Sequence, residues 1–99
     1  VYTSGQIPLD AKTGAIVGSS IADQAHQVLK NLSAVLQEAG SGMDKVVKTT
    51  CFLADMQDFA PFNEVYAQYF TGKPARSCVA VRTLPKNVLV EVECVAVVE

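Results

Sequence analysis

The sequence contains no tryptophan and a single histidine, His26. One histidine with no facing Cys or Asp excludes a His-based metal site and a Ser/His or Cys/His nucleophilic system. Cysteine is scarce and odd in number: Cys51, Cys78 and Cys94 form no CxxC, no zinc pattern and no disulfide framework. They lie in apolar, β-rich stretches and read as buried free thiols of a reducing compartment. Basic surplus is absent too. Eight Lys and Arg against ten Asp and Glu leave a net charge of −2, which argues against an electrostatic RNA or DNA binder. No apolar run approaches the roughly 18–20 residues that span a bilayer. There is no GxGxxG, and Gly72-Lys73 lacks the upstream glycine and following hydroxyl of a P-loop.

What remains is rich in apolar residues, 49% against 18% charged, so a folded chain is expected rather than a disordered one. Ninety-nine residues make a single domain, 1–99, with one modest core. The chain begins at Val1 rather than Met, and Val1-Tyr2-Thr3 already reads as strand, so the N-terminus looks cut away. The expected location is the cytoplasm, a mitochondrial one staying open because a targeting segment would be lost with that terminus.

The order of elements is strand, loop, helix, strand, helix, strand, strand. The first strand covers Val1 to Ser4, and Asp10-Ala11-Lys12-Thr13-Gly14 is turn chemistry. Ser20-Ile21-Ala22-Asp23 resembles a capping box. Behind it Ile21, Ala25, Val28, Leu29, Leu32, Val35, Leu36 and Ala39 make a helical stripe that Gly40 closes. Val46 to Leu53 is β-branched and apolar, a strand. Asp58 is the expected N-cap of a second helix, whose stripe is Phe59, Phe62, Val65, Tyr66, Tyr69 and Phe70, read as core. Ala75–Val81 and Val88–Val97 are the last strands, joined by a turn at Leu84–Asn87. Two helices and about four strands make an α+β or α/β sandwich with both helices on one sheet face. On the last strand Leu89, Glu91, Glu93, Val95 and Val97 oppose Val88, Val90, Val92, Cys94 and Ala96. Both sides are largely apolar, so self-association is expected to cover the second.

Few residues carry chemistry. Arg76 stands in a strand among small and apolar neighbours and needs an acid or an anionic ligand. Glu91 and Glu93 share a face roughly 6.7 Å apart in Cα. Burial of either raises its pKa and suits it to general acid–base work. Two readings compete: a structural cross-strand Arg76–Glu pair, or a site. His26 reads as a solvated helix residue. Cys78, on the face of Arg76, is an inert thiol or a pocket residue. Ser4-Gly5-Gln6 is a strand end whose backbone N–H groups suit a carboxylate.

Several stretches together resemble one family. They are Thr3-Ser4-Gly5-Gln6-Ile7-Pro8-Leu9-Asp10, Val46-Val47-Lys48-Thr49-Thr50 with Phe52-Leu53-Ala54-Asp55-Met56, Phe62-Asn63-Glu64-Val65-Tyr66, Pro74-Ala75-Arg76-Ser77-Cys78-Val79, and Leu84-Pro85-Lys86 ahead of Val90-Glu91-Val92-Glu93. Their order and spacing are similar to the Rid (reactive intermediate deaminase, YjgF-type) family, RidA branch, over essentially all 99 residues. The resemblance implies a chorismate-mutase-like α+β two-layer sandwich, a mixed sheet with two helices on one face, assembled as a homotrimer with active sites between subunits. It implies cofactor-free hydrolysis of 2-aminoacrylate-type enamines and imines to 2-oxo acids and ammonia. It assigns the substrate carboxylate to Arg76 and the attacking water to Glu91. Ser4, Gly5, Asn63 and Cys78 line the pocket, and no metal is involved. Two alternatives accompany it: an endoribonuclease or translation inhibitor, as some relatives are described, and a non-catalytic metabolite-binding trimer. The family's leading segment, whose Gly-Pro-Tyr motif contributes a pocket Tyr, does not occur in these residues. The Thr71–Pro74 loop is short beside many relatives, which alters the pocket rim.

Overall fold

A computed structural model describes residues 1–98 of the chain. Helix α1 (Ile21–Glu38) starts where the capping pattern places it: the Ser20 hydroxyl accepts from the Asp23 N–H at 3.1 Å. It ends in a Schellman motif. Gly40, at φ +82°, turns the chain left-handed, and Ser41 N–H reaches the Leu36 carbonyl at 2.8 Å while Gly40 N–H reaches Gln37. The stripe packs inward, with Ala25, Val28, Leu29, Leu32 and Leu36 fully buried.

Strand β1 (Val46–Leu53) is central. It pairs parallel with β2 (Ala75–Ala80) and antiparallel with β3 (Val90–Ala96), giving the order β2-β1-β3. Helix α2 (Phe59–Tyr69) carries the chain from β1 to its parallel neighbour β2, the crossover a parallel pair requires. Both helices cover the same sheet face. Thr49, Cys51 and Leu53 of β1 and Val90, Val92, Cys94 and Ala96 of β3 are buried in one core with α1 and α2. The α+β sandwich with a mixed sheet is therefore the observed architecture.

Three local expectations change. Residues Val1–Gln6 do not form a continuous strand. They lie antiparallel to β3 through isolated bridges, Tyr2 with Val95 and Gln6 with Val92. Between the bridges three residues, Thr3–Gly5, answer two, Glu93 and Cys94, so an extra residue bulges out there. The Thr3 hydroxyl there accepts the Cys94 N–H at 3.0 Å, replacing a backbone bond. Asp58 makes no cap bond with its side chain; the chain enters α2 through a 3₁₀ turn, Met56–Asp58, capped by Asp55, whose carboxylate accepts from Gln57 N–H at 2.9 Å. His26 is half-buried rather than solvated. Its Nδ1 is 3.0 Å from the Tyr69 hydroxyl, joining α1 to α2, with the rings edge to face.

The sheet face away from the helices is more mixed than β3 alone suggests. Lys48, Thr50, Ser77, Glu91 and Glu93 alternate there with Phe52, Val79 and Val95. Among the described residues no helix is long and apolar enough to cross a membrane. Truncating a fully buried α1 residue tests the core assignment: Leu29→Ala is expected to cost about 2–5 kcal/mol of unfolding free energy, read from the urea midpoint at unchanged slope.

Candidate active site

Strand register decides which chemical groups meet. Arg76 is the parallel partner of Thr49, and Cys78 of Cys51. Paired residues point to one face, so Arg76 and Cys78 project toward the helices, as Thr49 and Cys51 do. Because β2 is an edge, Arg76 is only half-buried. Glu91 and Glu93 pair with Phe52 and Thr50, and so lie on the opposite face. With β1 between their strands and the two faces opposed, Arg76 and Glu91 cannot form the cross-strand pair. A single chain presents them as two separate half-sites.

The first half-site surrounds the guanidinium. Arg76 Nη1 donates to Asn63 Oδ1 at 2.6 Å. The cation lies 4.6 Å from the centre of the Tyr66 ring and 5.3 Å from that of Phe59. These partners are neutral; they orient the charge without cancelling it. Tyr66 is held from behind, its hydroxyl 2.8 Å from the fully buried Thr49 Oγ1. Burial raises the Cys78 thiol above its ordinary pKa, with Arg76 opposing the rise, and pushes Cys51 up to about 12. Both are poor nucleophiles, which fits the reading of Cys78 as an inert thiol. A cavity of about 410 Å³ opens beside Arg76, between the C-terminal half of α2 and the Thr71–Pro74 loop.

The second half-site surrounds Glu91, where the Ser4-Gly5 segment lies against β3. A Cβ built on Gly5 would overlap the Glu91 carboxylate, so glycine is required there for space, not for backbone freedom. The carboxylate resting on this segment is thus the chain's own. Burial raises the Glu91 carboxyl above the usual glutamate value, and the like charge of Glu93 adds to the rise. Ser4 is exposed beside it. The following loop is fastened to α1: Asn31 Nδ2 donates to the carbonyls of Ile7 and Leu9 at 3.2 and 2.9 Å. The buried Gln24 bonds Gly18 and Leu89.

Of the six residues singled out from the sequence, Arg76, Asn63 and Cys78 come together on one face, and Ser4, Gly5 and Glu91 on the other. Tyr66 and Phe59 were missed as site residues because their helical spacing matches that of core. A signal existed: an aromatic pair seven residues apart on the helix that leads into the Arg76 strand. Among the described residues no group of three or more His, Cys, Asp or Glu could hold a metal ion.

Fold and half-sites define a small α+β protein with a cation at one sheet edge that no acidic group neutralises among the described residues, and a carboxylate of raised pKa on the far face. A family model described as Endoribonuclease L-PSP matches residues 1–98. The chain is 59% identical to the RutC family protein slr0709 of Synechocystis, over 98% of this chain and 77% of that protein. It is 51% identical to the mitochondrial protein MMF1 of Saccharomyces cerevisiae, over 98% of this chain and 67% of that one. The crystal structure of E. coli TdcF with bound serine has a TM-score of 0.92 at 43% identity, covering 99% of this chain and 80% of that chain. This chain belongs to the L-PSP family, that of the RidA/YjgF proteins.

Gly5→Ala is expected to displace the Glu91 carboxylate into solvent. Carboxyl-resolved NMR titration should show the elevated Glu91 midpoint of the native protein falling toward the ordinary glutamate value, with Glu93 little changed.

Proposed function

We propose that the protein hydrolyses 2-imino acids, the tautomers of 2-enamino acids such as 2-aminoacrylate, to 2-oxo acids and ammonia. It does so as a homotrimer whose clefts join Arg76, Asn63 and Cys78 of one copy to Glu91, Ser4 and Gly5 of the next. The observation that carries this reading is Arg76, a half-buried guanidinium oriented by Asn63, Tyr66 and Phe59 and neutralised by none of them. Such a group is a receptor for a carboxylate, which it can hold bidentately. The serine in TdcF, an amino acid with carboxylate and amine on one carbon, has the shape of this substrate class and supports the reading.

The reaction asks little of the protein. The imine carbon is already electrophilic, so placing a water beside it supplies most of what is needed. Water adds to the C=N carbon while Glu91 takes one of its protons, giving a carbinolamine. Glu91 returns that proton to the nitrogen; the carbinolamine hydroxyl then gives its own proton, again by way of Glu91, to the amino group, the C–N bond breaks with release of ammonia, and the hydroxyl oxygen becomes the carbonyl of the 2-oxo acid. Water and imine enter; oxo acid and ammonia leave; Glu91 ends as it began. The raised carboxyl pKa of Glu91 makes it a stronger base than an exposed glutamate, as this step requires. The family model's description invites a ribonuclease reading, which the net charge of −2 and the engagement of His26 with Tyr69 disfavour.

The test is release of 2-oxo acid from freshly generated 2-aminoacrylate. Glu91→Gln should lower kcat by about 10²–10⁴-fold. Arg76→Lys, which keeps the charge but loses the fork, should act mainly on KM. Since Glu91 works ionised, kcat/KM should rise with pH through a midpoint above the ordinary glutamate range, and Glu91→Gln should abolish this acid limb. If clefts form between copies, mixing Arg76→Ala with Glu91→Gln protein and allowing exchange should restore activity in about a quarter of clefts. Full activity in both single variants would sink the proposal, as would RNA cleavage without imine hydrolysis.

A further inference from the structure

The cavity beside Arg76 contains a second cation. Its lining includes Asn63, Tyr66, Phe70, Thr71, Lys73 and Arg76, and among the described residues neither Asp nor Glu contributes to it. Two cationic residues lining one concave space, in a chain whose overall charge is −2, are a local inversion of sign. Electrostatic focusing in a cleft concentrates ligands of the opposite charge. At about 410 Å³ the cavity is also far roomier than a three-carbon imino acid needs.

The backbone at Lys73 indicates that its position is built rather than incidental. It sits at φ +55°, in the left-handed region where Gly or Asn is at ease and a long side chain is not. Such a conformation is strained for a residue with a Cβ and persists only where the surroundings hold it. Here they do: Lys73 N–H donates to the Phe70 carbonyl at 3.2 Å, and the rigid ring of Pro74 follows. The turn seats the Lys73 Cα at the cavity rim three residues before Arg76. Lys73 is exposed and lines the cavity, as a lysine with its stem along the wall would be.

Resting on the deaminase reading, we infer that Lys73 is a specificity-determining residue and that the cleft prefers dicarboxylic imino acids of four or five carbons. Arg76 takes the carboxylate next to the C=N carbon, and Lys73 takes the one at the far end of the side chain. Because Lys73 is exposed, the gain is modest. An exposed ion pair is worth at most about 1 kcal/mol, which is roughly a fivefold preference.

Isothermal titration with two product-like acids of equal length, 2-oxoglutarate and 2-oxopentanoate, measures it. The native protein should bind the dicarboxylate roughly fivefold more tightly. Lys73→Ala should equalise the two and Lys73→Glu should reverse them, while Lys73→Arg keeps the preference. Affinity for 2-oxopentanoate should fall less than that for 2-oxoglutarate in Lys73→Ala and Lys73→Glu, and the circular dichroism spectrum should stay unchanged throughout. Turnover of the imino acids generated from glutamate and from norvaline by amino-acid oxidases should follow the same order in kcat/KM. Equal affinities in the native protein, or a preference that survives Lys73→Ala, overturns the assignment. Hydrolysis of the monocarboxylic imino acid with no gain for the dicarboxylic one overturns the assignment alone. Failure to bind either acid, or binding of both with no imine hydrolysed, overturns the deaminase reading and with it this one.

Discussion

Tyr66 performs two tasks in one place, and much of the architecture follows from them. Its hydroxyl meets Thr49 Oγ1 at 2.8 Å in the dry space between α2 and the central strand. A buried hydroxyl without a partner costs about 1–3 kcal/mol, so each satisfies the other. The bond sets the rotation of α2 over β1. That rotation turns the Tyr66 ring toward β2, where it lies under the Arg76 guanidinium, and brings Asn63, three residues earlier on α2, within reach of the same cation. Core packing and the preparation of a charged group are one event, and neither could be altered without the other.

The second constraint is the pleat. Side chains alternate faces along a strand, so the parallel register of β1 with β2 sends Arg76 to the helical side, while the antiparallel register of β1 with β3 sends Glu91 away from it. A one-residue slip in either ladder would reverse the arrangement. An acid and a base segregated in this way within one chain cannot act on one small molecule there. The mixed far face, with apolar Phe52, Val79 and Val95 interleaved with charged and hydroxyl groups, is what a surface shared between identical copies would need. Gly5 belongs to the same logic. It leaves room for the Glu91 carboxylate against the Ser4-Gly5 segment and so ties the start of the chain to β3.

Where local rules act alone, the sequence was transparent. The helical stripe behind Ser20 and the closing Gly40 placed α1 to within a residue, since capping and periodicity are contacts between near neighbours. β1 was equally plain from its β-branched run. Where two segments compete for one partner it was opaque. Val1–Ser4 has strand composition, yet a bulge against β3 interrupts its ladder, and no short-range pattern announces a bulge set by a partner ninety residues away. Asp55 and Asp58 are both fair caps. Tertiary placement of the 3₁₀ turn selects the first. His26 sits on a polar stretch of α1 and was solvated only until Tyr69 arrived from α2.

The sequence by itself holds one histidine, no spaced set of metal ligands and no phosphate loop, and it marked Arg76 and Glu91 as charges out of keeping with their neighbours. Those are properties of residue type and of spacing along one strand. Only the tertiary structure decided that the two stand on opposite faces, that aromatic rings rather than a carboxylate attend Arg76, and that Lys73 shares its cavity. Each of those facts depends on register between strands and on the seat of a helix across a sheet, and such distances are set by packing between segments remote in the chain.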